Sequence, residues 1–85
     1  MKTKKYKNII DIREKEDYDR IHLDNSINYP YSYFSQHYQT LLNKNTNYYL
    51  ICYEGNLSKQ LAKEIRKNNF KVKSISGGIK KLLIQ

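Results

Sequence analysis

Residues 48–52 read Tyr48-Tyr49-Leu50-Ile51-Cys52 and carry the strongest strand signal in the chain. A polar turn over 43–47 precedes this run, and a loop around Gly55 follows it. Apolar runs of this length between two turns are typical of a strand buried at the centre of a sheet. We therefore predict a central β-strand over 48–52, with Cys52 at its carboxyl end.

The residues after this strand predict a loop, a helix, a further strand and a last short helix. The loop covers 53–57. The helix over 58–68 is amphipathic, because apolar side chains recur on one face: Leu57, Leu61, Ala62 and Ile65. The segment 70–75 alternates apolar and polar residues, which is typical of a less buried strand. The pair Gly77-Gly78 then turns the chain into a helix over 79–84.

The residues before the central strand show the same alternation of element types. Isoleucines bunch at the end of the segment 6–12, which favours a strand covered on both faces, as in a parallel sheet. A short polar helix is predicted over 14–20, a brief strand over 26–29 that Pro30 ends, and a helix over 32–42.

This alternation of strands and helices predicts the α/β fold class. The 85 residues are enough for one domain and no second. We therefore expect residues 1–85 to form a single domain with a central, mainly parallel sheet flanked by helices.

The composition bounds the possible partners and the compartment. The net charge is +8, and residues 55–85 hold eight basic side chains and one acidic one. This basic third would suit nucleic acid, but the nine tyrosines are spread along the chain, so we expect a solvated lysine surface without nucleic-acid binding. No apolar run approaches the roughly 18 residues of a membrane span, and no signal peptide is predicted. One cysteine cannot form an internal disulfide, which favours a cytoplasmic protein.

Cys52 lies where an α/β sheet is expected to bind ligands, beyond the carboxyl end of a strand. The loop that follows can direct backbone N–H groups inward, and the next helix adds positive potential at its N-terminus, so both favour a thiolate. Gly55 supplies the backbone freedom of a tight loop, and Ser58 can cap the helix or direct its hydroxyl to the sulfur. The alternative for a lone cysteine is a small buried hydrophobe, but position and loop together favour a reactive site.

Four sequence blocks resemble those of the rhodanese-like sulfurtransferases, in the same order and at the same spacing, over about residues 9–82. They are Ile9-Ile10-Asp11-Ile12-Arg13 followed by Glu16-Asp17-Tyr18, then His22-Leu23-Asp24-Asn25-Ser26-Ile27-Asn28-Tyr29-Pro30, then Ile51-Cys52-Tyr53-Glu54-Gly55-Asn56-Leu57-Ser58, and finally Ile75-Ser76-Gly77-Gly78-Ile79. Four blocks in order are far more specific than any one of them.

The resemblance implies that Cys52 is the catalytic nucleophile of a sulfur transfer. Its thiolate would take a sulfane sulfur from a donor, become a persulfide, and pass the sulfur to a thiol acceptor. The donor would be polysulfide, a persulfide or thiosulfate, and the acceptor a small thiol or a protein. No cofactor and no metal are implied. The substrate-binding residues would act largely through their main chain: Tyr53, Glu54, Gly55, Asn56, Leu57 and Ser58.

Other residues that match the family are interpreted as structural. Asp11 and Arg13 correspond to a polar pair near the active loop, and we expect an ion pair that fixes the end of the first strand. His22 has no Cys or His at metal-ligand spacing, so we expect a hydrogen-bonded structural residue. His37 is expected on the surface.

The sequence also departs from the family. Arginines commonly occupy the family positions that match Tyr53 and Leu57, and neither residue is basic here. Glu54 adds a carboxylate close to Cys52, which would repel an anionic donor. We therefore expect polysulfide or a protein persulfide to be preferred over thiosulfate. The family's N-terminal strand and helix are shortened in this chain.

Two other function classes compete with the sulfurtransferase interpretation. A non-catalytic rhodanese-like interaction module, in which the altered loop binds a partner, remains an alternative. A related phosphatase or arsenate reductase would need an arginine six positions after Cys52 to bind a tetrahedral oxyanion, and Ser58 stands there. We set that class aside.

Overall fold

Strands and helices alternate throughout residues 1–84, which are the residues that the structure, a computed structural model, describes. The elements in chain order are β1 (Ile9–Asp11), α1 (Lys15–Arg20), β2 (Ser26–Asn28), α2 (Tyr31–Leu41), β3 (Asn47–Ile51), α3 (Asn56–Arg66), β4 (Lys71–Ser74) and α4 (Gly78–Leu83). The predicted α/β class is confirmed.

The strands form one parallel sheet in the order β2-β1-β3-β4. Ile10 pairs with Leu50 of β3 on one side and with Ile27 of β2 on the other. Leu50 in turn pairs with Ser74 of β4. The predicted central strand is confirmed, since β3 lies between two neighbours and Leu50 and Ile51 are fully buried.

Apolar side chains cover the sheet on both faces, which explains the bunched isoleucines. Ile9 and Ile10 are consecutive, and they belong to two different core clusters. The larger cluster joins the sheet to α2 and α3, chiefly through Phe34, Leu61, Ala62 and Ile65. The smaller one joins it to α4 and the segment before β2, through Leu23, Ile51, Ile75 and Ile79.

Several element boundaries differ from those predicted. β1 is only three residues long, Ile9–Asp11, although the apolar pattern suggested 6–12. The backbone of Asn8 turns into the left-handed region, φ 54°, and this ends the extended conformation before Ile9. Helix α3 begins at Asn56, two residues before the predicted start, because Gly55 takes the left-handed conformation, φ 98°, and forms its N-cap.

The N-terminus of α4 packs directly on the chain that follows β3. The N–H groups of Ile79 and Lys80 donate to the carbonyl oxygens of Cys52 and Tyr53, at 3.0 and 2.9 Å. A Cβ on Gly78 would lie 2.4 Å from each of these two oxygens, and the φ of Gly78 is +62°. This close approach therefore requires glycine.

None of the helices within residues 1–84 is both long enough and apolar enough to cross a membrane.

The contact at Gly78 predicts a stability effect for Gly78→Ala. The new Cβ would meet fixed backbone oxygens, so we expect the substitution to cost about 2–4 kcal/mol of unfolding free energy, from overpacking and the positive φ. Urea unfolding followed by circular dichroism measures this cost.

The matched control is Gly77→Ala. Gly77 has a φ of +80°, so a side chain there has a similar conformational cost. The added Cβ, however, meets mainly the Lys81 side chain. We expect a smaller loss of stability than for Gly78→Ala. Equal losses in the two variants would show that the backbone approach of α4 does not matter.

Candidate active site

The sulfur of Cys52 lies at the N-terminus of α3. Cys52 directly follows β3, and its Sγ accepts hydrogen bonds from the N–H groups of Gly55 at 3.2 Å and Ser58 at 3.3 Å. These belong to the N-cap and first turn of the helix, where N–H groups have no partner within the helix. Cys52 is only 5% exposed. Such an arrangement stabilises negative charge on the sulfur, because hydrogen bonds to an ionised acceptor are the stronger ones.

The hydroxyl of Ser58 contacts the sulfur, and Ser58 is fully buried. The Cys52 thiol donates to Ser58 Oγ at 3.3 Å. Ser58 Oγ is also 3.3 Å from the carbonyl oxygen of Gly55 and 2.6 Å from Oγ of Ser74 on β4. Ser74 is a site residue that sequence reasoning missed. Only the register of β4 against β3 brings it close, and that register cannot be counted from the sequence.

A cleft of about 670 Å³ opens beside Cys52. Cys52 lines it together with Tyr53, Glu54, Asn56 and Leu57, all of which were expected at the substrate site. Gly55 and Ser58 contact the sulfur from the helix side. Exposed apolar side chains also line the cleft: Tyr31, Tyr53, Leu57 and Leu83.

The charges along the cleft nearly balance. Glu14 and Asp17 line it on the α1 side, together with Arg20 and with Arg13, whose guanidinium is paired with Asp11. On the loop side, the Glu54 carboxylate lies 3.5 Å from Lys80 Nζ, and both side chains are more than half exposed. Lys80, on α4, was not anticipated as a partner of Glu54. Although the chain carries +8 overall, the cleft beside Cys52 therefore offers no surplus of cations.

Asp11 and Arg13 form a buried ion pair at the edge of the cleft, with side chains 0% and 8% exposed. Arg13 Nη2 and Nε donate to Asp11 Oδ2 at 2.9 and 3.2 Å, and Nη2 also donates to the carbonyl oxygen of Ile21 at 2.6 Å. Asn28 donates to the carbonyl oxygens of both Asp11 and Arg13 at 2.9 Å. These contacts tie the end of β1 to its surroundings and agree with a structural interpretation.

The two histidines have no ligand-like surroundings. The His22 ring stacks on Tyr18, with centroids 3.8 Å apart, and its Nδ1 lies 2.6 Å from the Tyr18 carbonyl oxygen. His37 is exposed on α2 beside Tyr33. Within the described chain, no three His, Cys, Asp or Glu side chains gather closely enough to hold a metal ion.

Known proteins are similar to this chain in sequence and in fold. The model of the rhodanese-like domain matches residues 1–85. YrkF, a candidate sulfur carrier protein of Bacillus subtilis (strain 168), is 33% identical over 64 residues, which are 75% of this chain and 34% of YrkF. The chain thus spans about a third of the length of this relative.

Solved structures agree with the fold. A rhodanese-related protein from Thermoplasma volcanium superposes with a TM-score of 0.83 at 25% identity, over 94% of this chain and 79% of that one. A Rhodanese_3-like domain from Anabaena sp. superposes with a TM-score of 0.79 at 19% identity, over 92% and 91% of the two chains. With a parallel sheet, a cysteine held at a helix N-terminus and a family model matching its whole length, this chain belongs to the rhodanese-like domain family.

Proposed function

We propose that this protein is a rhodanese-like sulfurtransferase that moves a sulfane sulfur through a persulfide on Cys52. The observation that carries the proposal is the pair of backbone hydrogen bonds from Gly55 and Ser58 to Sγ at the N-terminus of α3. They favour the anionic sulfur that a nucleophile needs, and the cleft gives a donor access to it.

The reaction has two displacement steps. The Cys52 thiol first loses its proton to solvent in the cleft. Its thiolate then attacks the outer sulfur of the donor, a new S–S bond forms, and the donor's own S–S bond breaks with its electron pair going to the leaving group. In the second step an acceptor thiolate attacks the outer sulfur of the persulfide, and the electron pair of the broken bond returns to Cys52.

The residues expected to bind substrate act in two groups. The N–H groups of Gly55 and Ser58 hold the sulfur that carries charge in both steps. Tyr53, Glu54, Asn56 and Leu57 line the cleft and meet the donor and acceptor. The chemistry requires neither a cofactor nor a metal. It does require a reduced thiol, which is why we place the protein in the cytoplasm.

The cleft favours donors of low charge. Thiosulfate is a dianion, and the loop over 53–57 contains no basic side chain to receive it. The cation beside the loop, Lys80 of α4, is paired with Glu54. A protein-bound persulfide carries a single negative charge, and polysulfide spreads its charge over a longer sulfur chain. The exposed rings and leucines of the cleft suit a protein partner. We propose these as the physiological donors, with a small thiol or a protein thiol as acceptor.

A non-catalytic interaction module is the second candidate. The apolar side chains Tyr31, Tyr53, Leu57 and Leu83 are all 40% or more exposed around one cleft, as a binding surface requires. Such a module would bind its partner without sulfur uptake by Cys52, so the two functions are separable by experiment.

We expect Cys52→Ser to abolish sulfur uptake. The chain has one cysteine, and its hydroxyl replacement cannot form a persulfide. Intact-mass measurement after incubation with polysulfide should show a gain of one sulfur atom in the unsubstituted protein, reversed by dithiothreitol, and none in the variant. Circular dichroism serves as the control for folding. Uptake that persists in Cys52→Ser would contradict the mechanism, and no uptake by either protein would favour the interaction module.

We expect the loop charge to select the donor. Glu54→Gln removes the carboxylate and leaves Lys80 as a free cation, so kcat/KM for thiosulfate should rise by about three- to tenfold. Leu57→Arg should also raise kcat/KM for thiosulfate. Steady-state kinetics with cyanide as acceptor measure both, and kcat/KM for polysulfide should change less.

The matched control is Glu64→Gln, which removes an exposed carboxylate near the other end of α3, where it pairs with Lys67. It should leave the preference between donors unchanged. Rapid thiosulfate turnover by the unsubstituted protein, with no response to Glu54→Gln or Leu57→Arg, would show that loop charge does not select the donor.

A further inference from the structure

A second, smaller cleft, which we call the rear cleft, adjoins the loop after Cys52 and shares Asn56 with the substrate cleft. Its volume is about 320 Å³, and its lining is polar and basic: Gly55, Asn56, Lys59, Arg66, Ser74 and Ser76. Ser74 links this rear cleft to the reactive sulfur, because its hydroxyl is 2.6 Å from that of Ser58. The proposed sulfur chemistry assigns no role to Ser74.

The hydrogen bonds around Ser58 differ between the two charge states of the sulfur. Ser58 Oγ carries one proton and has three neighbours: Cys52 Sγ, the carbonyl oxygen of Gly55 and Ser74 Oγ. When Cys52 is a thiol, its S–H donates to Ser58 Oγ, and the Ser58 proton goes to Gly55 or to Ser74. When the sulfur is an anion it has no proton to give, and the Ser58 hydroxyl can turn and donate to it.

This rotation of the Ser58 hydroxyl leaves no buried group without a hydrogen-bond partner. The Gly55 carbonyl oxygen loses the Ser58 proton but still accepts from the N–H of Lys59 at 3.1 Å. Ser58 Oγ loses the S–H donor, and Ser58 is 0% exposed. The neighbour able to replace that donor is the Ser74 hydroxyl. Donation from Ser74 to Ser58 also polarises the Ser58 hydroxyl, which strengthens its bond to an anionic sulfur.

We propose that Ser74 is a positioning residue for the sulfur-transfer site, acting through Ser58. In the anionic states of Cys52, the Ser74 hydroxyl donates to Ser58 Oγ and directs the Ser58 hydroxyl to the sulfur. The thiol state does not need Ser74, since Gly55 also accepts the Ser58 proton. Ser74 therefore stabilises the anion relative to the thiol. This role rests on the proposed reaction of Cys52.

The sheet holds Ser74 in place for this role. Ser74 pairs with Leu50 in the β3–β4 ladder, and the next residue, Ile75, donates its N–H to the Leu50 carbonyl oxygen at 2.9 Å. Leu50 lies two residues before Cys52 on the same strand, so the register that orders the sheet also fixes the distance from Ser74 to the site.

The test is the pH dependence of the alkylation of Cys52 by iodoacetamide in five variants. Ser74→Thr keeps a hydroxyl at this position. Ser74→Val has nearly the shape of threonine but lacks the hydroxyl. We expect Ser74→Val to move the pH–rate profile to higher pH, with a rate about three- to tenfold lower at neutral pH and the same plateau at alkaline pH. Ser74→Thr should restore the original profile. Ser76→Ala, in the same rear cleft, should leave it unchanged.

A double substitution tests whether Ser74 acts through Ser58. Ser58→Ala should shift the profile in the same direction as Ser74→Val, and the double variant Ser58→Ala/Ser74→Val should shift it no further than Ser58→Ala alone. Additive shifts, or a Ser74→Val profile identical to that of the unsubstituted protein, would overturn the proposal.

The alkylation readout is independent of sulfur transfer. If the profile responds to Ser74 as described while Cys52 takes up no sulfur from any donor, the proposed function fails and the role of Ser74 in stabilising the anion stands. If sulfur uptake is normal and the pH–rate profile does not respond to Ser74, the proposed function stands and the role of Ser74 fails.

Discussion

The contact on which this small structure depends is the approach of α4 to the chain just after β3. A parallel strand ends with carbonyl groups that need donors, and a helix begins with N–H groups that need acceptors. Here each supplies the other, because Ile79 and Lys80 donate to Cys52 and Tyr53. Gly78 makes the contact possible by having no side chain. The chain after β3 is therefore held from one side by α4 while it turns into α3 on the other.

That constraint explains how a buried sulfur obtains backbone donors. With the Cys52 and Tyr53 carbonyls held by α4, the left-handed turn at Gly55 directs its own N–H and that of Ser58 toward Sγ. Main-chain donors do not depend on which side chains the loop carries. Consequently Tyr53 and Leu57 can stand where basic residues are common in the family, and Glu54 can add a carboxylate, without removing the groups that hold the sulfur. Under the proposed function, these departures act on which donor enters the cleft.

Sequence reasoning predicted the parts of the site that follow one another along the chain. The buried run before Cys52, the turn at Gly55 and the apolar face of α3 are local signals, and the structure places all three as an α/β sheet requires. The contacts that it missed join distant segments. Ser74 reaches Ser58 through the register of β4, and Lys80 reaches Glu54 through the placement of α4. No periodicity encodes such pairings. The predicted start of α3 lies two residues after the observed one, because a glycine N-cap resembles a loop residue in sequence.

The two buried polar side chains of this core have partners of different kinds. Among residues 1–84, Asp11 and Ser58 are the polar side chains that are fully buried, and every buried side-chain N or O atom of this region has a hydrogen-bond partner. Burying a polar group in so small a core costs free energy that an apolar residue of similar size would not. Asp11 is paired with Arg13, and their contacts fix the end of β1. Ser58 has a neutral and exchangeable set of partners, with the Cys52 sulfur among them. A group satisfied in more than one way adds little rigidity to the fold, but it can follow a change of charge at its neighbour. Stability alone would favour an apolar side chain at position 58, so we attribute its hydroxyl to the chemistry proposed for Cys52.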